Sequence, residues 1–466
     1  MSDIRLTAAW VADAMAGTIV AGDAAREFAG VSIDTRALAA GDLFIAIRGE
    51  RFDGADFADA AIAAGAAGLV VPRGRGRLRV DAGVVAIEVD DTTAALQALG
   101  NAIRRESGAK VVAITGSAGK TTTKEVTGEF LATRYRVVRN RGNFNNHIGL
   151  PLSLVDLRQR PEIAVVELGM NHAGEISTLV RIAEPDVRVW TNVGEAHVGF
   201  FASLDAIADA KAEILERAST ETVLVANADD ERIAARVGPF PGRVVTFGID
   251  RDADVRATAV VNRGVEGTSA HLQTPRGDVD VTTPLIGRAN LANVLAAAAV
   301  ALECDVPLAT IAEKAATLRP ASRRGDVVRL AGGVIVIDDS YNANPTATKG
   351  AVEVLAAAAA TRRVAVLGEM LELGDRAIDF HEEVGRAVAS AGIDVLFAIG
   401  GAPAMALAAA AVAAGMERGR VRHVPTSDGA APEVAALVRE GDVVLVKGSR
   451  GVKTDRVVER LKTDRG

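Results

Sequence analysis

The sequence predicts an α/β protein of three domains, and two observations support this class. The chain has 466 residues, too many for one ordinary domain and enough for about three. From about residue 91 onward, apolar runs typical of buried parallel strands alternate with helical segments. We expect a small α/β domain over 1–90, a central phosphate-loop domain with a parallel sheet over 91–318, and a doubly wound, Rossmann-like domain over 319–466.

The expected elements follow from apolar runs and turn-forming residues. The N-terminal domain has candidate strands at 42–47, 68–71 and 84–89 and a helix at 57–64. The central domain has candidate strands at 110–115, 163–168, 187–191 and 222–226, helices at 120–132, 203–217 and 290–303, and an antiparallel insert at 253–286. The last domain has candidate strands at 334–338, 364–367, 395–399 and 443–446.

Composition excludes several classes of protein. The 53 basic and 60 acidic residues give a net charge of −7, the opposite of what a nucleic-acid-binding protein needs. The one cysteine, Cys304, excludes an intramolecular disulfide framework and fits a reducing compartment. No signal-peptide core is present, and no apolar run approaches the ~20 residues of a membrane span. We therefore expect a cytoplasmic protein, a monomer, with small-molecule partners, no nucleic acid and no membrane span.

A glycine-rich turn follows the strand at 110–115. It consists of Gly116, Ser117, Ala118, Gly119, Lys120, Thr121 and Thr122. Backbone N–H groups of such a turn and of the following helix form an anion cradle, with the lysine reaching the phosphates and a threonine hydroxyl available to Mg²⁺. The first glycine of the general motif is replaced by Ile114, so only the compact form is present. An ordinary glycine-rich turn would leave Lys120 and three successive threonines unexplained, and the pattern indicates nucleotide binding.

Three titratable residues lie beyond the predicted strand ends. Glu167 ends a buried strand, His197 follows the strand at 187–191, and Lys211 lies on an alanine-rich helix. Ligands of doubly wound sheets collect at the carboxyl ends of strands, so Glu167 and His197 are candidate metal ligands near the phosphates. Each has an ordinary structural alternative, and Glu195 in the same loop could replace His197 as the ligand.

Eight segments occur in an order that resembles the ATP-dependent Mur ligase family. They are SIDTRALAAGDLFIAIRGERFDGADF (32–57), ITGSAGKTTTKE (114–125), GNFNNHIGLPLSL (142–154), ELGMNHAGEI (167–176), TNVGEAHVGF (191–200), AKAEIL (210–215), DDSYNANP (338–345) and LVKGSRGVK (445–453). The resemblance implies a three-domain ligase that makes an amide bond through an acyl phosphate. GNFNN, GMNHAGEI and DDSYNANP resemble the member that adds D-Ala-D-Ala to UDP-N-acetylmuramoyl-tripeptide for peptidoglycan synthesis.

The resemblance also implies roles for residues. In the N-terminal domain, the uridine diphosphate would contact Thr35, Arg36, Glu50, Arg51 and Phe52; the muramoyl-peptide pocket would contain Asn143, Asn145 and Asn146. Two magnesium ions would be held by Thr121, Glu167, His197 and Lys211, the last as a carbamate. ATP would be contacted by Asn290 at adenine, Asp339 at ribose and Arg324 at the γ-phosphate. The catalytic set would be Lys120, Lys211, His197 and Arg324.

The sequence departs from the family pattern at two positions and leaves other functions open. Ala289 stands where the family has histidine, and Arg323 stands where it has glycine, so either Arg323 or Arg324 could reach the phosphate. The alternatives are another Mur-type amino-acid ligase, a folylpolyglutamate-type ligase, a phosphate-loop NTPase or kinase, and a regulatory nucleotide-binding module. The N-terminal segment disfavours the folate ligase.

Overall fold

The computed structural model describes residues 3–74, 83–196 and 198–466, which form three β-sheets with flanking helices. The sheets follow one another along the chain, with strands between residues 18 and 89, 110 and 283, and 326 and 447. The expected three-domain α/β class is therefore confirmed. In the described part of the chain, every helix is too short or too polar to cross a bilayer.

The first sheet has five strands in the order β1-β5-β4-β3-β2, with β1 antiparallel to β5 and the others parallel. The strands are β1 Thr18–Ala21, β2 Val31–Ser32, β3 Leu43–Ile45, β4 Gly68–Pro72 and β5 Val85–Val89; the helices are α1 Ala8–Ala14 and α2 Ala58–Ala63. The short strands β1 and β2 were not predicted, because they lack the apolar runs of β4 and β5. Because β2 and β3 are adjacent and parallel, the loops that follow them leave the same edge of the sheet.

The central sheet has nine strands in the order β14-β13-β12-β11-β10-β9-β6-β8-β7. The strands are β6 Lys110–Thr115, β7 Val137–Arg139, β8 Ile163–Glu167, β9 Val187–Trp190, β10 Val223–Asn227, β11 Arg243–Gly248, β12 Val255–Asn262, β13 Thr268–Thr274 and β14 Gly277–Thr283. The helices are α3 Thr92–Ser107, α4 Lys120–Leu131, α5 Gly149–Leu154, α6 Glu175–Ala183, α7 Leu204–Ala212, α8 Glu231–Ala234, α9 Arg288–Glu303 and α10 Leu308–Ala315. Strand β6 lies between β9 and β8, so the turn after β6 opens in the middle of the parallel region.

The predicted antiparallel insert extends this sheet. Strands β12, β13 and β14 pair antiparallel, while β12 joins β11 in parallel through only two residue pairs, Phe247 with Val255 and Gly248 with Arg256. The predicted helix at 203–217 is shorter in the structure: α7 ends at Ala212 and a 3₁₀ turn, Glu213–Leu215, follows it. Lys211 therefore lies in the last turn of α7.

The third sheet has six strands in the order β15-β16-β20-β17-β18-β19, all parallel except β15. The strands are β15 Asp326–Arg329, β16 Ile335–Asp339, β17 Arg362–Gly368, β18 Val395–Ile399, β19 Val421–Val424 and β20 Asp442–Lys447. The helices are α11 Pro345–Ala357, α12 Ala377–Ser390, α13 Ala402–Ala413, α14 Ser427–Leu437 and α15 Asp455–Arg465. Buried apolar residues fill both faces of β18 and β20, as expected for a sheet covered by helices on both sides.

The first two domains share a hydrophobic core, and the third contacts the central domain at Glu195 and Gly199. Helix α3 packs on α1 and also on α5 and α6, which joins the two cores. On the other side, the N–H of Gly199 donates to the carbonyl of Glu372 at 2.9 Å. A hydrogen bond from the hydroxyl of Thr346 in α11 to the carboxylate of Glu195 makes a second contact between the central and third domains.

We expect Asp442→Ala to destabilise the third domain by about 3 kcal/mol, because the change removes one partner of a buried ion pair. The fully buried Asp442 accepts bonds from Arg362 at 3.0 and 2.6 Å across the β17–β20 pair. Hydrogen exchange of β17 and β20 amides measures the change. Arg460→Ala breaks an exposed pair with Asp464 and is the control, expected to cost less than about 0.5 kcal/mol. Equal effects of the two substitutions would contradict the prediction.

Candidate functional site

The glycine-rich turn after β6 has the geometry of a phosphate loop. Helix α4 begins at Lys120, and Gly119 immediately before it has a φ of 80°, in the left-handed region that favours glycine. The ammonium of Lys120 curls back over the turn and donates to the carbonyl of Gly116 at 2.8 Å. The turn and the amino end of α4 therefore surround a concentration of N–H donors and one ammonium group, which suits a phosphate chain.

Side chains from outside the turn hold it in shape. Asn192, just after β9, accepts from the N–H of Ala118 at 2.8 Å and donates to the carbonyl of the same residue at 3.0 Å. Its own carbonyl accepts from the N–H of Ser117 at 3.0 Å. On the α9 side, Asn293 is buried, and a Cβ at Gly119 would lie 2.3 Å from its Oδ1. Asn290, the predicted adenine contact, accepts from Asn293 at 3.2 Å and lies beside the turn.

Glu167 is placed by three hydrogen bonds at the end of β8. One carboxylate oxygen accepts from the hydroxyl of Thr121 at 2.6 Å, and the other accepts from the amide of Asn145 at 2.8 Å. The N–H of Glu167 donates to Oδ1 of the buried Asn140 at 3.0 Å. The structure thus brings together three predicted residues, Thr121, Asn145 and Glu167.

The half-buried Lys120 and the buried Lys211 lie near one another, and the charge of Glu167 acts on Lys120. Burial lowers the pKa of Lys120, with Glu167 opposing the shift and Arg324 of the third domain adding to it. Burial and the charge of Lys120 lower the pKa of Lys211 well below its usual range. Among residues of the described ranges, Lys211 forms no ion pair. Its amine is therefore pushed towards the neutral form.

A buried arginine positions the chain just beyond Lys211. Arg188, in the otherwise apolar strand β9, is 2% exposed and donates to the carbonyl of Ile214. Burial lowers its pKa to about 10. This contact fixes the 3₁₀ turn that ends α7, and with it the last helical turn that carries Lys211.

The predicted metal ligands are only partly described. His197 lies outside the described residues. Within the described ranges, no three His, Cys, Asp or Glu side chains are grouped so that they could hold a metal ion. Glu195, the alternative to His197, accepts a hydrogen bond from Thr346 of the third domain. Glu167 is therefore the carboxylate that the structure places beside Thr121 and near Lys120.

The third domain contributes residues that lie just before β15 and at or just after the end of β16. The guanidinium of Arg324 lies 4.0 Å from the ring centroid of Tyr341, and its charge reaches Lys120. Arg323 instead forms an ion pair with Asp455 of α15 at 2.9 Å. Asp339 accepts from the buried ammonium of Lys447 at 2.6 Å. Arg324, and not Arg323, is the arginine near the phosphate loop.

The candidate uridine contacts lie apart from this cluster, at the edge of the first sheet. Arg36 is exposed, and its bond to Asp34 lowers the pKa of that carboxyl to about 2. Thr35 is half-buried, whereas Glu50, Arg51 and Phe52 are exposed on the loop after β3. Phe52 is 69% exposed and meets Phe57 edge to face at 6.3 Å. These loops form one surface because β2 and β3 are parallel neighbours.

The three predicted asparagines occupy different surroundings. Asn145 contacts Glu167, as described above. Asn146 accepts from the N–H of Gly149 at 2.8 Å and so supports the start of α5. Asn143 is exposed, and its carbonyl accepts from the N–H of Asn145 at 2.7 Å.

Sequence reasoning missed four residues that support the site, namely Asn140, Arg188, Asn192 and Asn293. Asn192 belongs to the segment TNVGEAHVGF, which indicated only Glu195 and His197 as candidate metal ligands. The charge of Arg188 inside an apolar strand was a visible signal. The sequence carried no signal for Asn140 or Asn293, because their contacts join segments far apart in the chain.

A strand, a glycine-rich turn and a helix that begins at Lys120 define this chain as a nucleotide-binding α/β protein of the phosphate-loop class. Comparison with known families narrows that class. Three family profiles match in succession: the Mur ligase family catalytic domain over 27–127, the Mur ligase middle domain over 114–301, and the Mur ligase glutamate ligase domain over 323–450.

Relatives that match nearly the whole chain support the same family. The UDP-N-acetylmuramoyl-tripeptide–D-alanyl-D-alanine ligase of Escherichia coli is 36% identical over 98% of this chain and 99% of its own. A MurF crystal structure from Acinetobacter baumannii has a TM-score of 0.89 at 31% identity and covers 99% of this chain and 100% of its own. A MurF ligase from Thermotoga maritima in complex with ADP has a TM-score of 0.82 at 29% identity, with coverages of 93% and 97%. The chain belongs to the Mur ligase family.

We expect Gly119→Ala to weaken ATP binding at least about tenfold, because the new Cβ meets Asn293 and the left-handed backbone disfavours a side chain. Isothermal titration with ATP measures the affinity. Gly108→Ala is the matched control, since Gly108 has a φ of 67° with open space around it. If both variants bind ATP like the wild type, the prediction is wrong, and the packing of Asn293 does not set the shape of the phosphate loop.

Proposed function

We propose that this protein joins D-Ala-D-Ala to UDP-N-acetylmuramoyl-tripeptide, with ATP converted to ADP and phosphate. The product is UDP-N-acetylmuramoyl-pentapeptide, made in the cytoplasm for peptidoglycan synthesis. The convergence of Lys120, Glu167 and Arg324 at the phosphate loop carries this proposal. The full-length similarity to ligases named for this reaction supports it.

The reaction must activate a carboxylate that does not react with an amine in water. The tripeptide carboxylate attacks the γ-phosphorus of ATP, the bond to ADP breaks, and an acyl phosphate forms. The amine of the dipeptide then attacks the carbonyl carbon and loses a proton, and phosphate leaves as the tetrahedral intermediate collapses. The first of these steps brings two anions, the carboxylate and the triphosphate, together near the phosphate loop.

The cationic groups of the site offset that repulsion. Two like charges ~4 Å apart repel by about 4 kcal/mol at an effective dielectric constant of 20. Lys120 and the N–H groups at the start of α4 face the β- and γ-phosphates, and Arg324 approaches from the third domain. Arg324 takes this role because Arg323 is held by Asp455.

In this proposal the metal site would consist of Thr121, Glu167, His197 and Lys211 and would hold two magnesium ions. The donor set fits this cation, since a buried carboxylate and a hydroxyl oxygen face each other at 2.6 Å. Bound Mg²⁺ would supply a Lewis acid to the phosphate oxygens. Lys211 joins the set as a carbamate: its neutral amine adds to carbon dioxide and loses a proton, which replaces a cation with a carboxylate. The lowered pKa of Lys211 favours the neutral amine that this addition needs.

The other assignments complete the proposal. The loops with Thr35, Arg36, Glu50, Arg51 and Phe52 hold the uridine diphosphate, and Asn143, Asn145 and Asn146 contact the muramoyl peptide. Asn290 contacts adenine and Asp339 the ribose. The domains divide at 1–90, 91–318 and 319–466. The protein acts as a monomer, and contacts such as Thr346 with Glu195 keep water from the acyl phosphate while the third domain is docked.

The proposal is tested by supplying the purified protein with ATP, Mg²⁺, UDP-N-acetylmuramoyl-tripeptide and either D-Ala-D-Ala or single amino acids. We expect product mass to show addition of the dipeptide only, and ADP to form only when both substrates are present. Lys120→Ala is expected to lower kcat about 100- to 1000-fold while UDP-substrate binding persists. ADP formation at full rate without the muramoyl peptide would instead indicate an NTPase or kinase.

We expect Lys211→Ala to lose most ligase activity and to regain part of it with added acetate, because acetate can replace the missing carboxylate. Initial rates against acetate concentration measure the rescue. Lys120→Ala is the matched control, since a carboxylate cannot replace its ammonium and no rescue is expected. A folded Lys211→Ala protein that acetate leaves unchanged would contradict the carbamate.

A further inference from the structure

Two arginines flank one tyrosine in the third domain, and the proposed reaction uses only one of them. Tyr341 follows β16, with the guanidinium of Arg324 at 4.0 Å from its ring centroid and that of Arg450 at 5.8 Å. The charge of Arg324 acts on Lys120, so this arginine lies on the side of the phosphate loop. Arg450 needs a separate explanation.

Arg450 lies where the carboxyl ends of three parallel strands meet. It follows β20, which is flanked by β16 and β17. Lys447 ties this loop to the segment after β16 through Asp339 at 2.6 Å and the carbonyl of Asn342 at 3.0 Å. Ser449 ties it to the segment after β17, since its hydroxyl accepts from the N–H of Leu371 at 2.9 Å. Ligands of doubly wound sheets bind at such strand ends.

The guanidinium of Arg450 is available to a ligand. Arg450 is exposed, and it forms neither an ion pair nor a side-chain hydrogen bond with any residue in the described ranges. Its neighbours on this loop are less free, because Lys447 is buried against Asp339 and Ser449 is buried. A planar guanidinium with unused donors is suited to bind a carboxylate through two parallel hydrogen bonds.

We propose that Arg450 binds the terminal carboxylate of the incoming dipeptide and so makes the enzyme select an acceptor with a free C-terminus. This inference rests on the proposed function, since it deepens the description of the same site. With its carboxylate on Arg450, the dipeptide lies beside Tyr341, and Arg324 on the same ring lies towards the phosphate loop. The amine at the other end of the dipeptide then points towards the activated carboxyl group.

A carboxylate explains this arrangement better than a second phosphate contact. The phosphate loop already provides Lys120 and the N–H groups of α4, and the charge of Arg324 acts on Lys120. The dipeptide is the substrate that brings a carboxylate which does not react. Its amine must stay unprotonated to attack, so the C-terminal carboxylate is the charge by which the enzyme can hold it.

The test compares D-Ala-D-Ala with D-Ala-D-alaninamide, which lacks the charged terminus, in the wild type and in Arg450→Met. For the wild type we expect kcat/KM to favour the carboxylate by about 10- to 100-fold, the range of a hydrogen bond to a charged group. For Arg450→Met we expect KM for D-Ala-D-Ala to rise by a similar factor. The preference between the two acceptors should fall to within about threefold, while KM for ATP stays the same.

Two further variants keep the result interpretable. Arg422→Met removes an arginine 5.5 Å from the Phe397 ring at the edge strand β19, and this control should keep the full preference. Arg450→Lys keeps the charge but loses the two-pronged geometry, so we expect an intermediate preference. A preference that persists in Arg450→Met, or a rise in KM for ATP alone, would overturn the assignment. A wild-type protein that uses neither acceptor would instead refute the proposed function itself.

Discussion

The site depends on an imbalance of buried charge. Lys211 is buried and Lys120 is half-buried, Arg324 approaches from the third domain, and Glu167 is the carboxylate whose charge acts on Lys120. Burial penalises each ammonium group, and the like charges penalise one another, which is why the pKa of both lysines is lowered. Anionic ligands relieve these costs. The site is therefore built to gather phosphates and carboxylates, the charged groups that an ATP-dependent ligation brings together.

Keeping these groups in place requires a polar scaffold. Asn192 and Asn293 shape the phosphate loop, Asn140 holds the backbone of Glu167, and Arg188 fixes the turn after Lys211. Asparagine suits this work because one side chain offers both donors and an acceptor. Its amide is also uncharged, so the scaffold adds nothing to the crowded charges of the site.

The third domain completes the arrangement through the loops at its strand ends. Arg324 and Arg450 share the ring of Tyr341, while Thr346 and Glu372 contact Glu195 and Gly199 of the central domain. Some of these contacts are polar or made through backbone, and apolar packing of Ile286 and Val265 against the core of the third domain adds to them. Such an interface is compatible with separation of the domains for substrate entry and product release. The same loops can thus hold an acceptor and cover the reacting groups.

The sequence by itself determined the fold class, the phosphate loop and the family. Long apolar strands such as β6 and β18 occur at the predicted residues, because a strand buried on both faces needs a continuous apolar run. The short strands β2, β7 and β15 were missed, since two to four residues carry too little pattern. Only the tertiary structure showed that Arg323 pairs with Asp455 while the charge of Arg324 acts on Lys120, and only it revealed Asn140 and Asn293. Those choices depend on which distant segments meet in space, and local periodicity does not encode that.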